Sequence, residues 1–229
     1  MSENNKLTAL IFGSTGLTGR FIQEFLLKDE RYEQVVIFVR KEIKTYHGKI
    51  RQVVFNPQNL DETANLIQGD HLFCCLGTTM KKAGSREAFL DVDLRLVVRI
   101  AESARSNGVK VFSVVSSVGA HPESANFYLK TKGQMESALR KLNFNQLVIL
   151  RPSMLLGLRH ESRWLEDAGK SLFKLMAGLM IGKLRKYRPI HAEVVDNDMI
   201  DYANEVRKLI VAESDEIQST GSAHYYNQQ

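Results

Sequence analysis

Cysteine is almost absent from this chain: its 229 residues hold two, Cys74 and Cys75, side by side in one apolar run. A bridge between neighbours would be strained and would close no useful loop. A disulfide framework is therefore excluded, and the pair reads as reduced core thiols suited to a reducing compartment, by default the cytoplasm. Proline is scarce as well, with four residues, and apolar residues make up 44% of the chain, which excludes a disordered or low-complexity protein. No apolar run reaches the roughly 20 residues of a membrane span. The longest, Leu172 to Ile181, reads as core or dimer packing, with a helix lying on a membrane surface as the alternative. The polar start Met1 to Lys6 lacks the long apolar stretch of a signal peptide. Charge of one sign is missing too. The 31 basic residues are interspersed with 26 acidic ones, for a net +5, and neither a basic helix nor a zinc-ligand spacing is present. Nucleic acid is not expected as a partner and no metal site is expected, while the small positive surplus suits a phosphate-bearing ligand.

What is present is a repeated alternation of apolar strands and helices. Leu7–Phe12, Val35–Val39, Gln52–Phe55, His71–Leu76, Val111–Val115 and Gln146–Leu150 read as strands. The segment after Gly19, Asp61–Ile67, Phe89–Ser106 and Tyr128–Leu142 read as helices. Strands buried on both faces and separated by helices predict an α/β chain: one domain, 1–229, built on a doubly wound parallel-sheet Rossmann fold. Beyond Arg151-Pro152 the pattern changes. A helix near Leu165–Leu184, a short apolar piece at His191–Val195 and a helix from about Asn197 to Ala212 predict a small substrate-side portion over 153–212. The polar tail, 214–229, is expected to be loose.

The first strand runs into Gly13-Ser14-Thr15-Gly16-Leu17-Thr18-Gly19. A glycine triplet alone is weak, but between a strand and a helix in the first βα unit it has a physical meaning. Gly13 allows the tight turn, Gly16 lets backbone approach a pyrophosphate, and Gly19 lets the helix pack closely, with free N–H groups at the helix start facing the anion. The second strand ends in Arg40 and Lys41, where an NAD-specific protein would carry a carboxylate for the ribose 2′-hydroxyl. A guanidinium there can fork onto a 2′-phosphate, so NADP(H) is favoured over NAD(H). The fourth strand leads into Leu76 and Gly77, whose backbone can pass close to the middle of a dinucleotide. The fifth ends in Ser116-Ser117 and is followed by Tyr128 and Lys132 at i and i+4 of one helix face. An ammonium beside a phenol favours its ionised form, bringing it from a reference of about 10 toward working pH, as a general acid requires. Either serine hydroxyl could polarise a reacting carbonyl.

These residues together resemble the short-chain dehydrogenase/reductase superfamily in its atypical, extended-like branch. More narrowly, six separated matches in order resemble the Tat-interacting oxidoreductase family, a metastasis-suppressor family in animals, or a bacterial relative of it. They begin with Phe73 to Thr79 and Lys82-Ala83-Gly84, continue with Ser116-Ser117-x-Gly119-Ala120, Tyr128-x-x-x-Lys132-Gly133 and Arg151-Pro152, and end with Glu161-Ser162-Arg163. The resemblance implies that Gly13 to Thr18 bind the pyrophosphate, Arg40 and Lys41 the adenosine phosphate, and Leu76 and Gly77 the middle of the cofactor. It makes Tyr128 the proton donor or acceptor and Lys132 the holder of the nicotinamide ribose, with Leu155 and Arg163 closing from the other side. Ser117 aligns best with the catalytic hydroxyl, and Ser116 stays open. Asn56-Pro57 stands where an Asp commonly contacts adenine, and the short C-terminal portion argues against a large nucleotide-sugar site. His191 resembles a packing position.

The expected function is hydride transfer between NADP(H) and a small carbonyl or alcohol, with a small-molecule substrate as partner and a monomer or homodimer as the assembly. A non-catalytic NADPH-binding regulator is the alternative, and an epimerase or dehydratase that recycles its cofactor is a third reading.

Overall fold

The computed structural model describes residues 6–156 and 182–219. Seven parallel strands form the main sheet: β1 (Leu7–Phe12), β2 (Tyr32–Val39), β3 (Ile50–Val54), β4 (His71–Cys74), β5 (Val111–Val115), β6 (Gln146–Arg151) and β9 (Leu209–Glu213). They lie in the order β3-β2-β1-β4-β5-β6-β9. The chain winds outward from β1 in one direction, then returns to start β4 on its other side, which opens a crevice at the carboxyl ends of β1 and β4. Two short strands, β7 (Leu155–Leu156) and β8 (Ile190–His191), pair in parallel as a separate ribbon just beyond the end of β6.

Period-two alternation distributes the strand side chains between two cores. Leu10, Phe12, Val36 and Phe38 point into one, and Ala9, Ile11, Val35 and Ile37 into the other. The first face is covered by α4 (Val97–Ser106) and α5 (Phe127–Lys141), through Val97, Ile100, Met135 and Leu139. The second is covered by α1 (Leu17–Lys28) and α6 (Ala192–Ala203), through Ile22, Leu26, Val195 and Met199. Two short helices, α2 (Met80–Ala83) and α3 (Arg86–Leu90), follow β4. From α3 the chain continues through a π-helical stretch, Asp91–Leu96, directly into α4. α5 sits so near the 121–122 loop that a Cβ on Gly133 would fall 2.2 Å from the His121 carbonyl carbon.

Several expected elements are corrected. Asp61–Ile67 is not an α-helix but two 3-10 turns, Pro57–Glu62 and Ala64–Leu66, because Asn56 caps a Pro57 start and Asn59 leaves helical geometry (φ −127°, ψ 57°). The helix expected from about Asn197 to Ala212 starts at Ala192 and ends at Ala203. The stretch expected to finish it instead forms β9, which pairs with β6 as the sheet's seventh strand. Residues 192–213 therefore belong to the sheet and its covering layer rather than to a substrate-side portion. The tail is helical over 214–219, with Ser214 and Ile217 fully buried, rather than loose from its start. The expected helix near Leu165–Leu184 lies mostly outside the described residues, and its last three positions fall in a 3-10 turn, Gly182–Tyr187. No helix among the described residues is long and apolar enough to cross a membrane.

At the amino end of the sheet, Tyr32 Oη and His71 Nδ1 lie 2.8 Å apart, and Asn204 Nδ2 donates to Tyr32 Oη at 2.9 Å. Burial pushes the His71 imidazole from its ordinary value near 6.5 down to about 4. The folded chain keeps this ring neutral while the unfolded chain protonates it. Stability is therefore intact above about pH 6.5 and falls by up to about 3 kcal/mol as pH drops toward 4. Thermal unfolding across that window should show a steep acid decline that is visibly shallower in His71→Gln; equal slopes would refute the assignment.

Candidate active site

The crevice at the carboxyl ends of β1 and β4 is lined first by the glycine turn. Gly13 adopts φ +88°, and a Cβ there would fall 2.7 Å from the Cys75 carbonyl oxygen. A Cβ on Gly19 would fall 2.2 Å from the Gly13 carbonyl oxygen, so the first turn of α1 presses onto the end of β1 only because both positions are glycine. Gly16 N-caps α1 without any side-chain cap, which leaves amide donors of the first turn to face outward. Thr15 and Gly16 are exposed, Leu17 is half-buried and Thr18 is buried. The Ser14 hydroxyl is buried and has no hydrogen-bond partner among the described residues. Uncapped amides, an orphaned hydroxyl and a backbone surface that tolerates no Cβ fit a dinucleotide pyrophosphate.

At the end of β2, Arg40 and Lys41 are both exposed. Arg40 borders a cavity of about 330 Å³ whose other walls include Phe55, Asn56, Pro57 and Thr63, from the end of β3 and the turn after it. The expected cationic position thus adjoins a concave space whose lining is aromatic and amide, with the Glu62 carboxylate also in its wall.

After β4 the chain runs through half-buried Leu76, which packs against the first core, to exposed Gly77. The Thr78 amide then donates to Asp93 Oδ2 at 2.8 Å. Asp93 comes from the π-helical stretch and is 1% exposed, and its Oδ1 stands 2.8 Å from Lys132 Nζ. Lys132 Nζ also donates to the Val115 carbonyl at 3.4 Å. Burial lowers an ammonium's pKa, but the Asp93 carboxylate, helped by Tyr128 and by its own hydrogen bond, outweighs burial and holds Lys132 above the ordinary lysine value. Asp93 escaped the sequence reading. Its signal was a lone carboxylate in line with the apolar positions Phe89, Leu96 and Ile100 of one helix.

Tyr128 lies one turn before Lys132, 36% exposed, with its ring edge-on to Phe89 at 5.8 Å. Asn126 caps α5 by accepting from the Leu129 amide at 3.1 Å, so the helix begins just ahead of this residue. The two serines at the end of β5 separate. Ser116 is buried and donates to Glu136 Oε1 at 2.6 Å. Glu136 is gripped in turn by Arg151, through Nε at 2.9 Å and Nη2 at 2.6 Å, and Arg151 Nη1 reaches Glu213 at 2.8 Å. Ser116 therefore serves a network that ties α5, β6 and β9 together and is not aimed at a substrate. Ser117 is half-buried, and its hydroxyl donates only a long hydrogen bond to the Val118 carbonyl, at 3.5 Å, among the described residues.

Other positions are less committed to the site. Leu155 lies in β7 opposite Ile190 and packs against the second core. Arg163 is outside the described residues. His191 gives its backbone to β8 and leaves its side chain exposed, so Ile190 does the packing. Burial pushes the Cys74 thiol up to about 12 and Cys75 well above its usual value, so neither offers a thiolate nucleophile. Asp196 is fully buried, and neither carboxylate oxygen has a hydrogen-bond partner among the described residues. Burial, with Glu193 nearby, raises its pKa well above the carboxylate range, so this acid is carried neutral.

A family described as NAD(P)H-binding matches residues 13–171. Protein HTATIP2 of Rattus norvegicus is 36% identical over 160 residues, covering 68% of this chain and 66% of that protein. Protein FMP52, mitochondrial, of Candida albicans is 31% identical over 203 residues, covering 86% of this chain and 88% of that protein. Among solved structures, MoeE5 in complex with UDP-glucose and NAD superposes with a TM-score of 0.67 at 15% identity, over 95% of this chain and 81% of that one. The UDP-N-acetylglucosamine 4-epimerase of Methanobrevibacter ruminantium gives 0.68 at 13% identity, over 91% and 76%. At these identities the structures establish a shared fold.

The Glu136 network gives a direct test. Glu136→Gln leaves Arg151 with reduced compensation and should cost about 3 kcal/mol of stability. Ser116→Ala removes one hydrogen bond and should cost about 1 kcal/mol. Denaturant titration that ranks the two in the opposite order would break this description.

Proposed function

The chain belongs to the NAD(P)H-binding family, in the branch of the short-chain dehydrogenase/reductase superfamily that holds HTATIP2 and FMP52, and from that premise we propose that it is an NADP(H)-dependent oxidoreductase acting on a small carbonyl or alcohol. The observation that carries this reading is the buried, fully charged Lys132 one helical turn from Tyr128, at the same sheet edge as the glycine turn.

The roles follow from the chemistry of each group. Amides of the glycine turn and the Ser14 hydroxyl would hold the pyrophosphate. Arg40, with Lys41, would hold a 2′-phosphate, a choice supported by a cation rather than a carboxylate at the two positions directly after β2. Lys132 would hold the nicotinamide ribose. When bound, the nicotinamide ring supplies or accepts the hydride. Tyr128 Oη gives a proton to the alkoxide oxygen that forms at the substrate carbonyl, or takes it back in the reverse direction. Ser117, left out of the Glu136 network, would donate a hydrogen bond to that same oxygen. The two free thiols, Cys74 buried and Cys75 half-buried, support a reducing compartment.

Fluorescence titration with NADPH and NADH tests the cofactor assignment. Arg40→Ala should weaken NADPH binding by about tenfold or more, the loss of a charge-assisted contact, and leave NADH within about twofold. Equal affinities for the two, unmoved by the substitution, would sink the NADP preference. For the chemistry, Tyr128→Phe should keep NADPH affinity and lose about a hundredfold or more of carbonyl-dependent NADPH consumption. Tight NADPH binding with no consumption across a broad carbonyl panel would point instead to a non-catalytic role.

A further inference from the structure

Between Met80 and Leu96 the chain carries four cations and three acids, and all three acids are engaged. Arg95 Nη1 stands 2.5 Å from Glu87 Oε1 and 2.6 Å from Asp91 Oδ1, and Asp93 faces Lys132. Arg86, exposed at the start of α3, has no carboxylate partner among the described residues. Its guanidinium is nevertheless held in place, with its central carbon 5.1 Å from the centre of the Phe127 ring. Phe127 lies 5.7 Å from Phe89, which meets Tyr128 edge-on at 5.8 Å. Phe89 is fully buried and Phe127 half-buried, so this row of rings is anchored in the fold. Arg86 stands at one end of it and the exposed Tyr128 at the other. An arginine seated on an aromatic face has lost rotamer freedom before any ligand arrives, and it keeps its N–H fork for an oxyanion. A freely solvated arginine would still have that freedom to lose on binding.

We propose that Arg86 is the specificity-determining residue of the substrate side and that the substrate is an oxo acid, whose carboxylate pairs with the guanidinium while its carbonyl lies at Tyr128. The inference rests on the hydride-transfer reading above and names its substrate class. The guanidinium and the phenol occupy opposite ends of the aromatic row, which calls for an apolar body between carboxylate and carbonyl. The carbonyl carbon takes the hydride that NADPH supplies, and the carbonyl oxygen takes a proton from Tyr128 Oη, which solvent restores. The products are a hydroxy acid and NADP+, and the carboxylate is unchanged.

The experiment measures kcat/KM with NADPH for straight-chain aldehyde acids of increasing length, each beside its neutral methyl ester. It compares the parent protein with Arg86→Gln and Lys81→Gln, with thermal unfolding and an NADPH titration for each. At the best chain length the parent should favour acid over ester by about tenfold or more, the size of one charge-assisted bidentate contact. Arg86→Gln should bring that ratio to about one, through a higher KM for the acid, and hold NADPH affinity within about twofold. Lys81→Gln removes another exposed charge from the same segment and should keep the parent's ratio. Added salt should lower the parent's ratio, because an exposed ion pair is screened. Equal or ester-favouring rates in the parent overturn the proposal, as does a preference that survives Arg86→Gln or that Lys81→Gln abolishes equally. A loss of NADPH affinity of about tenfold in Arg86→Gln also overturns it, since the guanidinium would then serve the cofactor.

Failure of the hydride-transfer reading looks different: the parent binds NADPH yet consumes it with neither series. The acids and esters are then titrated against the NADPH complex by thermal shift. Stabilisation by acid and not by ester, lost in Arg86→Gln, upholds the carboxylate site and overturns only the turnover. Stabilisation by neither overturns both.

Discussion

A charge taken out of water leaves a protein little choice about its surroundings. Lys132 and Asp93 have side chains 5% and 1% exposed, and leaving either unpaired would cost several kcal/mol. The turn after β4, the π-helical stretch, the end of β5 and α5 must therefore come together in one arrangement. A second buried acid, Glu136, lies one turn further along α5 and does the same for β6 and β9 through Arg151. Together the two pairs fix the rotation of α5 about its axis. Lys132 and Glu136 take its buried face, and Tyr128, one turn earlier at the helix start, stands at the solvent edge.

The site also depends on the parallel sheet. Parallel strands place all their carboxyl ends on one side, so the glycine turn, Arg40, Gly77, Ser117 and the start of α5 share an edge although they are spread along more than half the chain. The reversal of winding between β1 and β4 opens that edge into a crevice. Gly13 and Gly19 keep the crevice shallow in backbone and free of side chains, because the end of β1, the first turn of α1 and the Cys75 carbonyl are within van der Waals reach of one another. Arginine at the end of β2, beside the cavity near Phe55 and Asn56, gives one end of the crevice its positive charge.

Six of the seven main strands and the helices α1, α4 and α5 were legible because each announces itself locally, through period-two or helical spacing, a cap or a glycine. The seventh strand was not. Leu209–Glu213 follows directly on the apolar spacing of α6, and as an edge strand paired only with β6 it lacks the unbroken apolar run of a central one. The turns at Asp61–Ile67 were misjudged for a related reason: a few apolar residues at helical spacing do not outweigh a proline start and a kink at Asn59. Asp93 and Glu136 were passed over because a carboxylate in a helical pattern usually marks the solvent side, and only its partner across the fold shows otherwise.

The sequence by itself determined the doubly wound architecture, the glycine turn, the cationic end of β2 and the Tyr128–Lys132 face. Each of these depends on residues within one or two turns or one strand, where sterics and periodicity act between near neighbours. Tertiary structure alone decided that Ser116 belongs to Glu136 while Ser117 does not, that Lys132 is held by Asp93, and that β6 captures a seventh strand. These outcomes turn on desolvated charges and edge hydrogen bonds between segments many residues apart, whose energies exist only once burial has brought the partners together.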